Sequence, residues 1–268
     1  MASKTTDSIW SDSNKVGTST GAGWLSCPIS TLTNALNNTN NIPSNAKITK
    51  IIMHVTADFD CGMGLANVYL KYGFGSTNSI NEYLLQGSGE GEKFTKTTPL
   101  EYPEGGIDIT KYLSKDTSPF AITTTHGSYL AFRFYSTNIF SKTYYVNSLT
   151  LEITYDEYFT VTVRASPPEG GTVSGAGIYK YGEYATFEAI PNEGYKFVRW
   201  LIEAKGGGYS PVGSNPVSFA TVMDREAIAE FEKTAINNIL ADTSQSLGVL
   251  LDLSEPSEIL ADETKVYG

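Results

Sequence analysis

Apolar and polar residues alternate over many short stretches of this chain, and turns rich in glycine, asparagine and serine separate the stretches. The alternation is clearest where Leu149, Leu151 and Ile153 occupy every second position. A period of two predicts strands that bury one face, and such runs recur between residues 46 and 155. A helical period is almost absent, although residues 107–113 fit either a strand or a short helical turn. The pattern therefore predicts an all-β protein.

The same pattern divides the chain into four segments. Residues 1–45 are polar and rich in Ser, Thr and Asn, and are predicted to be an N-terminal arm. Residues 46–157 hold seven or eight short strands, which predict a jelly-roll-like β-sandwich that takes in part of the arm. Residues 158–233 are predicted to form a small β-rich module, and residues 234–268 a C-terminal tail of short β repeats.

Three near-copies of a ten-residue unit form this tail: 239–248, 249–258 and 259–268. A unit this short is one apolar strand and one polar turn, and it becomes stable only by stacking on a neighbour or on another chain. The aspartate common to all three units either caps each turn or marks an edge that pairs with an identical chain. The tail is therefore predicted to oligomerise the protein, for example as a trimer. The candidate assembly residues are Asp242, Asp252, Asp262, Val266 and Tyr267.

Composition and charge argue against nucleic acid as a partner and against a segment that spans a membrane. The chain has 268 residues and a net charge of −10, which argues against nucleic acid as a partner. Its 17 Tyr, 12 Phe and 25 Gly suit strands and turns. No apolar run approaches the roughly 20 residues of a membrane span. The first residues also lack the hydrophobic core of a signal peptide, an expectation that favours a phage structural protein over a secreted bacterial one.

Few residues suit catalysis or metal binding. The two histidines are His54, within a strand, and His126, beside a glycine in a turn, and neither belongs to a nucleophile or metal motif. We therefore predict no enzyme activity and no cofactor. Asp58 and Asp60 could offer oxygen ligands to calcium, but a solvated turn is the preferred interpretation. Cys27 and Cys61 either pair or, in the preferred interpretation, are two separate thiols.

Aromatic residues cluster late in the predicted sandwich. Phe132 and Phe134 share one face of their strand and are predicted to point into the core. Two interpretations stay open for the tyrosines around them: a core and subunit interface rich in tyrosine, which is preferred, or a surface on which sugar rings stack. The candidate ligand-facing residues are Tyr129, Tyr135, Tyr144 and Tyr145.

Residues 158–233 carry a more specific pattern. A strand at 160–165 leads to PEGGTV at 168–173, a second strand ends in PNEGYKFVRW at 191–200, and AIAEF at 227–231 closes the segment. Paired glycines and an Asn-Glu-Gly turn are typical of hairpins, and Phe197 and Trp200 are large enough to anchor a small core. The segment resembles the bacterial repeat family related to internalin-type B repeats. That resemblance implies a small β-grasp-like spacer or adhesion module of extracellular proteins, without catalytic residues.

The decapeptide tail resembles the C-terminal repeats of phage virion proteins. Together these features predict a non-enzymatic structural protein of a tailed-phage virion, exposed as a capsid decoration, head fibre or tail-associated protein. Its partners would be other virion proteins, further copies of the chain and a host surface glycan. The alternative is a bacterial cell-surface adhesin or carbohydrate-binding protein.

Overall fold

The computed structural model describes residues 1–16, 21–38, 42–61, 68–85, 92–94, 100–136 and 142–234. The chain divides into two compact units, the first ending at Tyr158 and the second beginning at Phe159. The three decapeptide copies, and with them all five candidate assembly residues, lie outside the described residues. The predicted all-β class is confirmed, because strands form both units.

Within its described residues, the first unit contains thirteen strands and one α-helix. The helix α1 spans Ile29–Leu36, and one 3-10 turn spans Thr110–Tyr112. The strands are β1 (Ala2–Thr5), β2 (Trp10–Val16), β3 (Gly21–Pro28), β4 (Ala46–Cys61), β5 (Val68–Ser76), β6 (Ser79–Leu85), β7 (Glu92–Phe94), β8 (Leu100–Glu101), β9 (Ile107–Asp108), β10 (Leu113–Lys115), β11 (Ala121–Ile122), β12 (Tyr129–Ser136) and the greater part of β13 (Lys142–Ser166).

These strands form two antiparallel sheets and a small hairpin. In the first sheet β13 lies between β4 on one side and β1 and β2 on the other, and β4 pairs in turn with β8 and β9. The second sheet runs β3-β12-β5-β6, with β7 also paired to β5. Strands β10 and β11 form the hairpin. The finer prediction, a jelly-roll order of strands, stays a prediction.

The two sheets face each other across one apolar core. Trp10 of the first sheet stacks on Phe132 of the second with ring centroids 5.4 Å apart, and Tyr144 stacks on Phe134 at 4.9 Å. Both phenylalanines are fully buried, which confirms that they point inward. Burial of such large rings supplies much of the free energy that holds two sheets together.

Two bulges explain why the sequence alternation is imperfect. The pairing of β13 with β4 shifts register between Val146 and Ser148 and again between Thr154 and Tyr155. A bulge adds one residue to a strand and so moves the following side chains to the other face. The buried series of β13 therefore changes from even to odd positions at Leu149. The second bulge has the same effect on β4, where Ile48 and Ile51 are both buried.

The described residues of the arm predicted at 1–45 pair with the sandwich, which is expected to take in part of that arm. Strand β1 pairs with β13 along Ala2–Thr5, and β3 pairs with β12 along its whole length. The helix α1 was also missed, because Ser, Thr and Asn hide its apolar positions. Leu32 and Leu36, four residues apart, are fully buried, which is the spacing of one helix face. The arm is thus part of the sandwich.

The second unit has seven further strands and the end of β13. They are β14 (Gly171–Ser174), β15 (Gly177–Lys180), β16 (Tyr184–Pro191), β17 (Tyr195–Glu203), β18 (Tyr209–Val212), β19 (Val217–Ala220) and β20 (Arg225–Lys233). The end of β13 pairs in parallel with β20, which pairs with β17 and, through it, β18. Strands β14, β16 and β19 form a three-stranded sheet. Trp200 and Phe187 lie fully buried in this unit, with ring centroids 5.7 Å apart.

The paired glycines of PEGGTV do not turn a hairpin as predicted. Gly170 ends a 3-10 turn, Pro168–Gly170, and Gly171 begins β14 in an extended conformation. A β-carbon on either glycine would stand 2.5 Å from the Phe231 side chain. Glycine is needed there because the backbone approaches an aromatic ring closely. The second predicted turn is present: Tyr195 donates its backbone N–H to Asn192 across 3.0 Å.

Candidate ligand-binding face

The outer face of the five-stranded sheet carries two of the predicted ligand-facing tyrosines. Leu130, Phe132 and Phe134 of β12 are fully buried in the core, so the residues between them point the opposite way. Tyr129 and Tyr135 occupy such positions and are half-buried. Their burial and direction fit a surface that a ligand can reach.

Neighbouring strands add aromatic rings that sequence reasoning missed. Tyr69 of β5 lies directly opposite Tyr135, and Trp24 of β3 lies directly opposite Arg133. Tyr83 of β6 is 43% exposed. The alternation in AGWLSC and VYLKYGF indicates that Trp24 and Tyr69 point outward, because their neighbours Leu25, Leu70 and Tyr72 mark the inner face. The register between strands, which the sequence does not give, was needed to bring the rings together.

Two cations lie among these rings. The Arg133 guanidinium lies 5.6 Å from the centroid of the Tyr135 ring, and the Lys71 ammonium lies 5.9 Å from that of Tyr83. Arg133 and Lys71 are direct cross-strand partners. Cations at such distances are attracted by the negative faces of aromatic rings. We name the five residues Tyr69, Lys71, Tyr129, Arg133 and Tyr135 the aromatic–cationic face.

The other two predicted tyrosines do not belong to this face. Tyr144 is fully buried and stacks on Phe134, so its prediction as a ligand-facing residue is wrong. Its position two residues before Val146, which is also buried, indicates the inner face. Tyr145 is half-buried and pairs with Ser13 and Asp58 on the first sheet. The four tyrosines are therefore divided among three environments.

Both histidines lie within contact distance of carboxylates that the sequence did not reveal. His54 pairs through Nδ1 with Glu101, and its Nε2 lies 3.5 Å from Glu152. His126 Nδ1 lies 2.9 Å from Glu82. Each side chain is partly exposed, and the partners come from neighbouring strands or loops. Such contacts stabilise the packing of surface segments against each other, which is a structural role.

A cleft of about 360 Å³ surrounds the second of these pairs. Glu82 accepts a hydrogen bond from Lys111 Nζ at 3.1 Å. The Tyr112 hydroxyl and Lys111 lower the pKa of Glu82 below its ordinary value by stabilising the carboxylate. Three consecutive threonines, Thr123, Thr124 and Thr125, complete the wall of the cleft. The arrangement favours the ionised form of Glu82 beside the Lys111 ammonium.

Asp58 and Asp60 lie two positions apart on β4 and thus on one face. Burial raises the pKa of Asp58, although Asn147 donates a hydrogen bond to its carboxylate at 3.4 Å. Across the described ranges no group of three or more His, Cys, Asp or Glu side chains converges on a metal site.

The Cys27 thiol is buried. Burial raises its pKa to about 11, which keeps this thiol protonated at neutral pH.

The fold and this face define a modular all-β protein that joins a sandwich to a smaller β unit. Residues 161–235 match the family model of the divergent InlB B-repeat domain. This match confirms the resemblance found in the sequence and extends over the second unit alone. B-repeat domains are typical of bacterial surface proteins and indicate an extracellular or surface-exposed protein. No curated protein matches the chain. Of the helices in the described ranges, none has the length and apolarity to cross a membrane.

Proposed function

We propose that the chain is a non-enzymatic structural protein displayed on a phage virion, as a capsid decoration, head fibre or tail-associated protein, with adhesion to a host surface glycan as a further role. The B-repeat domain at 161–235 carries the surface display. In this proposal the sandwich presents the aromatic–cationic face, the B-repeat unit is a spacer, and the decapeptide tail joins copies of the chain and other virion proteins.

Two features support a role in assembly and binding over one in catalysis. Each histidine lies in contact with a partly exposed carboxylate. The large aromatic rings include core anchors, like Trp200, and members of a sheet face, like Tyr135. Flat faces suit extended ligands, whereas small substrates are usually bound in concave pockets.

The virion is favoured by the three tail copies, which resemble C-terminal repeats of phage virion proteins. The second candidate, a bacterial cell-surface adhesin or carbohydrate-binding protein, is favoured by the family match itself, because B-repeat domains are typical of bacterial surface proteins. Both candidates place the aromatic–cationic face outside a cell. They differ in what the tail is attached to.

Localisation separates the two candidates. Antibodies against the purified chain would be applied to density-purified particles and to cell envelopes from the same induced culture, and gold labelling counted on each. We expect labelling of particles. Labelling confined to the envelope supports the adhesin, and protein found in the cytosol alone contradicts both candidates.

Assembly by the tail is tested by mass. Light scattering of the full chain should give a multiple of the 29.1 kDa monomer. A full-length variant with Asp242, Asp252 and Asp262 all changed to Lys should have a smaller mass, because lysine cannot cap the turns that the aspartates are predicted to cap. A full chain that is monomeric at all concentrations contradicts this role.

A further inference from the structure

We propose that the aromatic–cationic face binds an acidic polysaccharide whose sugar rings carry carboxylates. This inference rests on the adhesive part of the proposed function and names the ligand class. It requires two properties on one surface: rings on which sugars stack, and cations that pair with carboxylates. The five residues of the face supply both.

The rings have the spacing of an extended chain of sugars. Tyr129 and Tyr135 are six residues apart on the straight strand β12, and strands rise 3.2–3.4 Å per residue, so their α-carbons are about 20 Å apart. Tyr69 lies directly opposite Tyr135 on β5, where directly opposed β-carbons are roughly 5 Å apart. A pair of rings at one end and a single ring at the other form a platform for several consecutive sugars.

The cations lie between these rings. Arg133 and Lys71 face each other across two paired strands. Lys71 is nearly buried, at 9% exposure, so the half-buried Arg133 is the cation that an anionic ligand would reach first. The ring of Tyr135, 5.6 Å from the Arg133 guanidinium, fixes this group beside the stacking surface.

The described positions of this face contain no acidic residue. The positions that face away from the core include Trp24, Ser26, Pro28, Tyr69, Lys71, Gly73, Gly75, Tyr83, Tyr129, Ala131, Arg133 and Tyr135, of which Ala131 is fully buried and Lys71 nearly so. The chain as a whole has a net charge of −10, so this positive face stands against an acidic background. Charge complementarity therefore favours an anionic ligand over a neutral one.

The geometry favours a carboxylate on the sugar itself. Guanidinium pairs with a planar carboxylate through two parallel hydrogen bonds. A uronic acid carries its carboxylate on the pyranose ring, so one residue can stack on Tyr135 while its acid group reaches the adjacent Arg133. A single ligand class then accounts for the rings and the cation together.

The second unit offers a matched control. Arg225 lies 5.8 Å from the centroid of the Phe219 ring, an arrangement like that of Arg133 and Tyr135. Asp224 and Glu226 flank Arg225 in the sequence. Arg225 therefore has acidic neighbours, whereas Arg133 does not. Changing either arginine to glutamine alters the net charge of the protein equally, which separates a specific site from general attraction.

The test uses the full chain and polygalacturonate as the probe. Affinity electrophoresis would compare the wild type with Arg133→Gln, Tyr135→Ala and Arg225→Gln, and circular dichroism would check folding. We expect Arg133→Gln to weaken binding about tenfold or more, as is typical when a hydrogen bond to a charged group is lost. Arg133→Lys should recover part of the affinity, whereas Arg225→Gln should leave it unchanged.

A second comparison changes the ligand. Polygalacturonate with its carboxylates reduced to alcohols keeps the rings and loses the charge, and it should bind at least tenfold more weakly. Equal binding of the reduced polymer, equal losses for Arg133→Gln and Arg225→Gln, or stronger binding of a polyphosphate chain would each overturn the inference. If one of these results is obtained but gold labelling still detects the chain on particles or envelopes, the polysaccharide inference fails and the proposed surface function stands.

Discussion

The two units of this chain differ in the size of the core that their aromatic side chains fill. In the first unit large rings such as Phe132 and Phe134 fill a core between two sheets, and its surface rings accompany cations on one sheet face. In the second unit the described core contains only nine residues, yet Tyr184 is 69% and Ile178 73% exposed. The core of the first unit is spread over two sheets, whereas that of the second depends on a few anchors.

This difference follows from size. A small domain buries a smaller fraction of its surface than a large one, so each anchor of the second unit contributes a larger share of its stability. The exposed apolar residues of that unit are consistent with this limit, because a small core cannot enclose every large side chain. The comparison yields four predictions, three of which contrast the two units and one of which tests the close packing of the second unit.

The largest effect is expected from Trp200→Ala. Trp200 is fully buried between Phe187 and Phe197, and truncation of a buried aromatic costs about 3–5 kcal/mol. We expect the second unit to lose its cooperative unfolding transition in urea while the transition of the first unit remains. Phe132→Ala is the matched variant in the first unit, and it should lower the midpoint of that unit without abolishing its transition. One shared transition that both variants shift equally would show that the units unfold together.

A smaller effect is expected from Gly171→Ala. The new β-carbon would stand 2.5 Å from the Ile190 carbonyl oxygen and 2.5 Å from the Phe231 ring, and overpacking of this kind costs about 1–3 kcal/mol. Gly213→Ala is the control, because a β-carbon there meets nothing within 4 Å. Urea denaturation should show a lower midpoint for the second unit in Gly171→Ala alone. Equal stability of the two variants would contradict the close approach at Phe231.

The sequence predicted these features unequally. Alternation around Phe132 placed the core face of β12 correctly, because period two is a local property of a strand. It missed the helix α1, whose apolar face is hidden among Ser, Thr and Asn, and it assigned β1 to β3 to an arm. Pairing of Ala2–Thr5 with β13 joins residues about 150 positions apart, and no local pattern encodes such a register.

The candidate face was predicted in part for the same reason. Tyr129 and Tyr135 could be placed outward by alternation, but Tyr144 could not, because a bulge after Val146 breaks the period of β13. Tyr69 and Lys71 join the face only through cross-strand register. The family of the second unit was recognisable from PEGGTV and FVRW because its turns and anchors are close in sequence.

Acid should affect the two units through one carboxylate in each. Hydrogen bonds lower the pKa of Glu82, chiefly from Tyr112, and that of Glu226, chiefly from Tyr209. A carboxylate whose folded pKa is depressed stabilises the fold above its unfolded pKa, and this stabilisation is lost as the pH falls through the folded pKa. Below pH 4.5, the ordinary value for Glu, both units should therefore lose stability.

The variants Glu82→Gln and Glu226→Gln distinguish the contributions. Urea midpoints would be measured between pH 6 and pH 3. In Glu82→Gln the midpoint of the first unit should depend less on pH than in the wild type, and in Glu226→Gln the midpoint of the second unit should do so. The effect should be small, since both groups are partly exposed and solvent weakens such interactions. A flattened pH dependence in the unit that was not altered would contradict the assignment.

The smallest effect on stability is expected from Tyr184→Ser, a change on the outer face of β16. Its side chain is 69% exposed, and substitutions at such positions usually change stability by less than about 0.5 kcal/mol. If the first unit alone holds the polysaccharide site, this variant should also bind polygalacturonate like the wild type, while Tyr135→Ser binds it more weakly. Affinity electrophoresis of the two variants side by side makes the measurement. If Tyr184→Ser binds polygalacturonate more weakly while Tyr135→Ser binds it fully, the B-repeat unit holds the polysaccharide site. That result would reverse the expected difference between the two units.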